Sequence, residues 1–280
     1  MLKLRVATAV VLLLILWFAI WSGPLAFAGV MAICFGLVLY EWLRIGNLGP
    51  VPAALIAAIE MISQFSLYWA QALPKMDWFL FIVNGVVMVA WGVIFFAELF
   101  HRYNGFKVNV LTCLTTAVIF VPSAYLSLLW LYEAGSWVLV LSVFLIVWGA
   151  DICAYFCGRA WGKHKMCPKI SPKKTVEGLV GGIVISVAAS VLAAWLYQVL
   201  HLTPNQLGTV SLWQVGLLAL VLSPLSVMGD LFASIIKRQS QVKDFGHIMP
   251  GHGGIMDRFD SMIFVSPVLF VVLRFLPLIY

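Results

Sequence analysis

Charge is scarce in this sequence: Asp, Glu, Lys and Arg together make up 10% of its 280 residues, and 63% are hydrophobic. A soluble domain carries roughly 25% charged residues, so water cannot be the solvent for most of this chain. No polar stretch is long enough to build a soluble domain, and there is no internal repeat or low-complexity linker. That lack excludes nucleic acid as a partner, although the formal net charge is +6. A C-x2-C pair is also missing among the five cysteines, Cys34, Cys113, Cys153, Cys157 and Cys167, which argues against a zinc centre. Cys153 and Cys157 stand one helical turn apart in an apolar run and read as small residues at a helix contact.

Long apolar runs take the place of those missing features. A spanning helix needs ~20 mainly apolar residues to cross ~30 Å of hydrocarbon. Nine segments satisfy or approach that length, at about residues 6–22, 24–40, 51–73, 78–99, 108–131, 137–158, 178–200, 211–236 and 259–279. The runs are continuously apolar rather than alternating, which favours helices over a barrel. The expected fold is therefore an all-α polytopic membrane protein, a bundle of about nine transmembrane helices. Lys3 and Arg5 precede a run ending near Ala26-Phe27-Ala28, which imitates a cleavable signal. Another apolar run follows directly after Ser22-Gly23-Pro24, so the first helix is expected to be retained.

The basic residues gather in short stretches between these runs. With the N-terminus inside and nine alternating helices, fifteen of the seventeen Lys and Arg residues fall on the inner side, and only Lys75 and Arg274 fall elsewhere. That excess is the positive-inside signal. It predicts an integral membrane protein, of the inner (cytoplasmic) membrane in a bacterium, with its N-terminus and its working face in the cytoplasm. Two inner segments are much longer than the rest, 159–177 and 237–258, and both are rich in Gly, Pro, Lys and His. The chain thus divides into five nearly featureless spans over 1–135 and a membrane region over 136–280, with four spans and both long loops, where function is expected to sit.

Ionisable groups inside a span are costly and point to function by default. Asp151 in the sixth span and Asp230 in the eighth lie toward the inner ends. Asp230 shares a helical face with Ser234 and Lys237, and Asp151 shares one with Tyr155. Pro224 should kink the helix and open room above Asp230. Glu41, Glu60 and Glu98 read more simply as interhelical hydrogen-bonders or groups reaching the interface.

The second long loop contains Lys237-Arg238, Lys243-Asp244, then Gly251-His252-Gly253-Gly254 and Asp257-Arg258-Phe259-Asp260. Lys237, Arg238, Lys243 and Arg258 suit a polyphosphate. Glycines let backbone N–H groups approach phosphate oxygens closely. Asp257 and Asp260, three apart at a helix start, suit one hard cation together with Asp230, and oxygen ligands of this kind favour Mg²⁺. His252 reads first as a structural hydrogen-bonder. The first long loop, Ser171-Pro172-Lys173-Lys174-Thr175 before Glu177-Gly178, is not a P-loop because the flanking glycine spacing is absent. It is a basic turn leading into a helix N-terminus, suited to the phosphates of a nucleotide or of a lipid.

The run from Ser234 to Asp260 closely resembles the signature of phosphatidate cytidylyltransferases, S-x-x-K-R-x4-K-D followed by H-G-G-x-x-D-R-x-D. Ser171 to Thr175 with Glu177-Gly178, and Gly229-Asp230, resemble that family's flanking motifs. The likeness covers roughly residues 140–265. Phe232, Ala233, Gln241 and Phe245 depart from the pattern, Gln241 standing where a Gly is usual. The resemblance implies a homodimeric bundle that uses CTP and phosphatidic acid in a lipid membrane. It implies Mg²⁺ at Asp230 and Asp257, with Asp260 or Asp151 available to a second cation. Asp230, Asp257, Lys237, Arg238, Lys243, Asp244 and Arg258 then form the catalytic set. Substrate contacts fall to Ser171, Lys173, Lys174, Thr175, Ser234, His252, Gly253 and Gly254. A transporter would place polar residues or broken helices in both halves. Enzymes that transfer phosphatidyl groups to alcohols carry D-x2-D-G-x2-A-R, which this chain lacks. A CTP-dependent enzyme for another lipid phosphate stays open.

Overall fold

The computed structural model describes residues 2–70, 77–100, 108–199, 211–249 and 253–275. Its helices are α1 (Leu2–Trp21), α2 (Pro24–Ile45), α3 (Pro50–Trp69), α4 (Asp77–Phe100), α5 (Val110–Trp161), α6 (Val176–Val199), α7 (Leu212–Gln239) and α8 (Met256–Phe275). Between α5 and α6 lie two short antiparallel strands, β1 (Lys165–Cys167) and β2 (Ser171–Thr175). Prolines open α2 and α3, where a missing N–H costs nothing. Asn109 and Thr112 close a reciprocal cap at the start of α5.

Helix α5 is 52 residues long, which in a straight line would measure about 78 Å. Its contacts show that it doubles back. Phe120 meets Phe264 and Phe144 meets Phe259, both at 6.3 Å between ring centroids. Those two partners are five residues apart on α8, about 7.5 Å, whereas Phe120 and Phe144 would be about 36 Å apart on a straight helix. The two halves, Val110–Ala134 and Leu139–Trp161, are therefore separate spans.

Among the described residues, seven segments are long and apolar enough to cross a membrane: α2, α3, α4, both halves of α5, α6 and α7. In α1 the apolar stretch is the shorter Val10–Trp21. Helix α8 carries Asp257, Arg258, Asp260 and Arg274. Asp257, Arg258 and Arg274 lie at its ends, and between them every residue from Phe259 to Val271, Asp260 included, is buried among α2, α4, α5 and α7, which makes α8 the central helix. Helix α6 is the opposite case, burying Gly178, Gly182 and Ser186 and leaving most of its apolar surface outward.

Contacts at the helix ends fix the alternation. Gln239 Nε2 donates to Glu98 at 3.1 Å, Met256 N donates to Glu41 at 2.8 Å, and Gly46 packs against Asn109 and Cys113. At the other end Tyr132 Oη donates to the Ile20 carbonyl at 2.8 Å, and Arg274 pairs with Asp77. Arg44, Lys237, Arg238 and the start of α8 consequently share one end of the bundle. Glu41 and Glu98 are both interhelical hydrogen-bonders, as expected for them, while Glu60 accepts within its own helix from Gln64 at 2.9 Å.

Candidate active site

Small residues bring α5 and α6 together. A Cβ on Gly178 would stand 2.7 Å from the Ala154 carbonyl, and one on Gly182 would stand 2.8 Å from Ala154 Cβ. Cys157 is buried against Gly181, the helix-contact role its spacing suggests. Gly158 leaves room for Thr175, whose Oγ1 accepts from Gly178 N at 3.1 Å and so caps α6. Glu177 accepts from the amides of Lys163 and His164, at 3.0 and 3.1 Å, and pins the entry to the hairpin. Pro172 excludes helix here, and β1 and β2 pair Cys167 with Ser171 and Lys165 with Thr175. Sequence reading takes this segment for a basic turn; the short ladder gives it a defined direction.

That direction aims Lys174 at Asp230. Its Nζ lies 2.6 Å from Asp230 Oδ2 and 3.5 Å from the Val227 carbonyl, which it reaches as donor. Beside Asp230 on α7, Gly229 lets α8 approach closely: a Cβ there would lie 2.9 Å from Phe264 and 3.0 Å from Ser261 Cα. Ser261 Oγ donates to the Ser226 carbonyl at 2.9 Å across the same contact. The outcome is that Asp260 stands within hydrogen-bonding reach of Asp230.

Asp257 turns elsewhere. Its Oδ1 takes Lys237 Nζ at 2.8 Å, and its Oδ2 takes the amides of Phe245 and Gly254, both at 2.9 Å. Gly253, at φ +85°, sits where a Cβ would press on Asp257 and Asp244, a backbone conformation that favours glycine. Lys237 also lies 5.3 Å above the Phe245 ring.

These elements surround a cavity of about 400 Å³. Its wall carries Asp151, Asp230, Asp244, Asp257 and Asp260, together with Lys173, Lys174, Lys237 and Arg258. Ser171, Thr175 and Tyr155 add hydroxyls, and Ala154, Met166, Leu179 and Val227 add apolar surface. Five carboxylates against four cations leave the wall close to neutral, and two of the lysines are already paired. A polyanionic ligand therefore needs added positive charge, or a lysine released by its acid. Among the described residues no three Asp, Glu, His or Cys side chains converge to hold an ion alone. Asp230 and Asp260 are the close pair, and adjacent carboxylates call for a shared proton or a cation. Two carboxylates completed by water and phosphate oxygens are a donor set that fits Mg²⁺.

Several sequence-derived candidates stand apart from the cavity wall. Arg238 donates from Nε to the Ile170 carbonyl at 3.3 Å, tying α7 to the hairpin turn. Lys243 is exposed, and Ser234, Gly253 and Gly254 are not part of the lining. His252 lies outside the described residues. Sequence reasoning quoted Glu177 only within a motif, gave Glu41 no more than a structural hydrogen bond, and passed over Asn84. Yet Glu41 of α2 reaches the loop before α8, and Asn84 of α4 is buried with its Oδ1 accepting from Ser127 at 3.1 Å and from Ser123. An acid or amide inside an apolar run was the available signal for both.

The departures from the family pattern are packing positions. Phe232 and Ala233 are fully buried, Phe232 edge-on to Phe264 at 5.2 Å. Phe245 stacks on Trp42 at 6.4 Å. Gln241 has φ 57°, the left-handed region that glycine enters without strain, which accounts for the Gly usual there.

A family model described as "Cytidylyltransferase family" matches residues 3–276. The phosphatidate cytidylyltransferase of Bacillus subtilis (strain 168) is 31% identical over 279 residues, covering 97% of this chain and 97% of its own. The one from Staphylococcus epidermidis is 33% identical over 283 residues, 97% of this chain and 98% of that one. The one from Haemophilus influenzae reaches 38% over 130 residues, 46% of this chain and 43% of its own. Matched in this way along nearly its whole length, the chain belongs to the cytidylyltransferase family.

Proposed function

We propose that this protein is a phosphatidate cytidylyltransferase of phospholipid biosynthesis, converting CTP and phosphatidic acid to CDP-diacylglycerol and pyrophosphate. The observation that carries this reading is a cavity at the basic end of the bundle, where Lys173, Lys174, Lys237 and Arg258 stand beside paired carboxylates. Asp230 and Asp151 lie nine and ten residues inside their helix ends, about 14 Å and 15 Å along the axis. A headgroup entering that deep keeps its acyl chains at bilayer level, against Ala154, Leu179 and Val227.

A phosphate oxygen of the lipid bonds to the α-phosphorus of CTP, and the bond to the β-bridging oxygen breaks, so pyrophosphate leaves with the electron pair. The nucleophile is already an anion, so no strong base is required. The obstacle is bringing two anions together, and positioned cations lower it. Lys174, Lys237, Arg258 and Lys173 orient the phosphates and stabilise the leaving group. Asp230 and Asp260 would hold Mg²⁺ in place of the expected Asp230 and Asp257, because the Asp257 oxygens are taken by Lys237 and two loop amides. Asp151 is available to a second cation, and the bound ion would supply charge neutralisation at the reacting phosphates. The basic end faces the cytoplasm in this reading, following the positive-inside bias. The homodimer implied by the family resemblance belongs to the same reading, and cross-linking in native membranes tests it.

The purified protein in detergent with Mg²⁺, CTP and phosphatidic acid should form CDP-diacylglycerol, and Asp230→Asn should form none. A folded wild-type protein that yields no CDP-lipid from phosphatidic acid would overturn the assignment.

A further inference from the structure

Glu41 is a buried acid that the chemistry above leaves unused. It lies near the end of α2, 2% exposed, between Tyr40 and Trp42. Its Oε2 accepts from the amide of Met256, the first residue of α8, at 2.8 Å. A Cβ on Gly246 or on Gly254 would fall on its carboxylate, so the loop before α8 closes around this side chain from both sides. Trp42 stacks on Phe245 of the same loop. From the opposite side Asp257 takes the amides of Phe245 and Gly254. Phe245, Gly246, Gly254 and Met256 are thus clasped by two carboxylates, one from α2 and one from α8.

Apolar packing does not ask for an acid at this position, and burying one is costly unless it meets a specific need. The need here is visible. The first amides of a helix have no partner within it, and an anion at that end is favoured. Asp257, Arg258 and Asp260 occupy the first turn and a half of α8, so whatever holds Met256 sets where they stand on the cavity wall.

We infer that Glu41 is a positioning residue for the reaction: it anchors the start of α8 and the glycine loop, and thereby places Asp244, Arg258 and Asp260. The first half of the chain takes part in catalysis without touching substrate. This inference rests on the proposed function for its kinetic arm only.

The test compares Glu41→Ala and Glu41→Gln in the full-length protein in detergent, by backbone hydrogen exchange and by steady-state kinetics. In Glu41→Ala, exchange should rise across 244–257 while α3 and α4 keep wild-type protection. Its kcat should fall about tenfold or more, since sub-ångström placement governs rate, with a smaller change in KM for CTP. Glu41→Gln keeps a carbonyl oxygen for the Met256 amide and should restore most of both. Unchanged exchange and kcat in Glu41→Ala would overturn the inference. So would a rise in exchange throughout the chain, or a glutamine variant as impaired as alanine. Should the alanine variant not fold, Glu41→Asp, one methylene short, carries the same comparison. Exchange is read without substrate, so an inactive wild-type protein would sink the proposed reaction and leave the clasp to be judged separately.

Discussion

Gly182→Ala should weaken this protein even though alanine is the better helix former. On propensity alone the exchange would stabilise a helix by roughly 0.5–1 kcal/mol. At Gly182, however, the new methyl would stand 2.8 Å from Ala154 Cβ and 2.9 Å from the Ala150 carbonyl. Carbon contacts settle near ~3.5–4.0 Å, so α5 and α6 must part by about 1 Å. Overpacking of this kind costs about 1–3 kcal/mol, which leaves a net loss of up to about 2.5 kcal/mol after the propensity gain. Strand β2 runs into α6 without a linker, so the displacement reaches Lys174, and a shift near 1 Å lowers rate by up to about 10²-fold. Gly92→Ala is the matched control. Nothing lies within 4 Å of a Cβ there, and that variant should be neutral or stabilised by up to about 1 kcal/mol. The assay is the fraction of detergent-purified protein surviving heating, read by gel filtration, together with the rate of CDP-lipid formation. Equal stability shifts in the two variants, or a Gly182→Ala protein with wild-type stability and rate, would refute the reasoning.

Lys174→Met removes the ammonium that lies 2.6 Å from Asp230. Mn²⁺ binding without substrate, followed by electron paramagnetic resonance, should tighten roughly fivefold, the equivalent of about 1 kcal/mol for a partly exposed pair, while turnover drops. Weaker Mn²⁺ binding would show that Lys174 does not compete for that carboxylate. Gln241→Gly relieves a left-handed residue at φ 57° and should raise thermal stability by about 1 kcal/mol with no change in rate. A destabilised glycine variant would mean that the Gln241 side chain earns its place by contacts rather than being strained.

Much of the site can be read along the chain because its chemistry is written in short range. Asp230 and Lys237, seven apart, do share one face of α7 on the cavity wall, and Asp151 and Tyr155 share one on α5. Ser171, Lys173, Lys174 and Thr175 also reach the same cavity. The pairings are a different matter. Asp257 and Asp260 were expected to face one cation together with Asp230. Instead Asp257 turns to Lys237 and two loop amides, and Asp260 alone reaches Asp230. Residues three apart on a helix stand only about 60° apart and can share a partner, so helix geometry leaves both pairings open, and the neighbouring α7 and the loop decide which side chain each one meets.

Composition and local pattern by themselves determined that the chain lives in lipid, that it is an all-α polytopic membrane protein, and which two segments gather most of its basic residues. Those properties follow from transfer free energies and helix geometry, which act over a few turns of chain. Only the tertiary structure decided that Lys174 and Lys237 are held by acids, that Glu41 meets Met256 215 positions away, and that a methyl on Gly182 would press on α5 where one on Gly92 would meet nothing. Glycines in apolar helices look alike in sequence. What separates them is the distance to the next helix, and that is set by packing contacts between residues far apart in the chain.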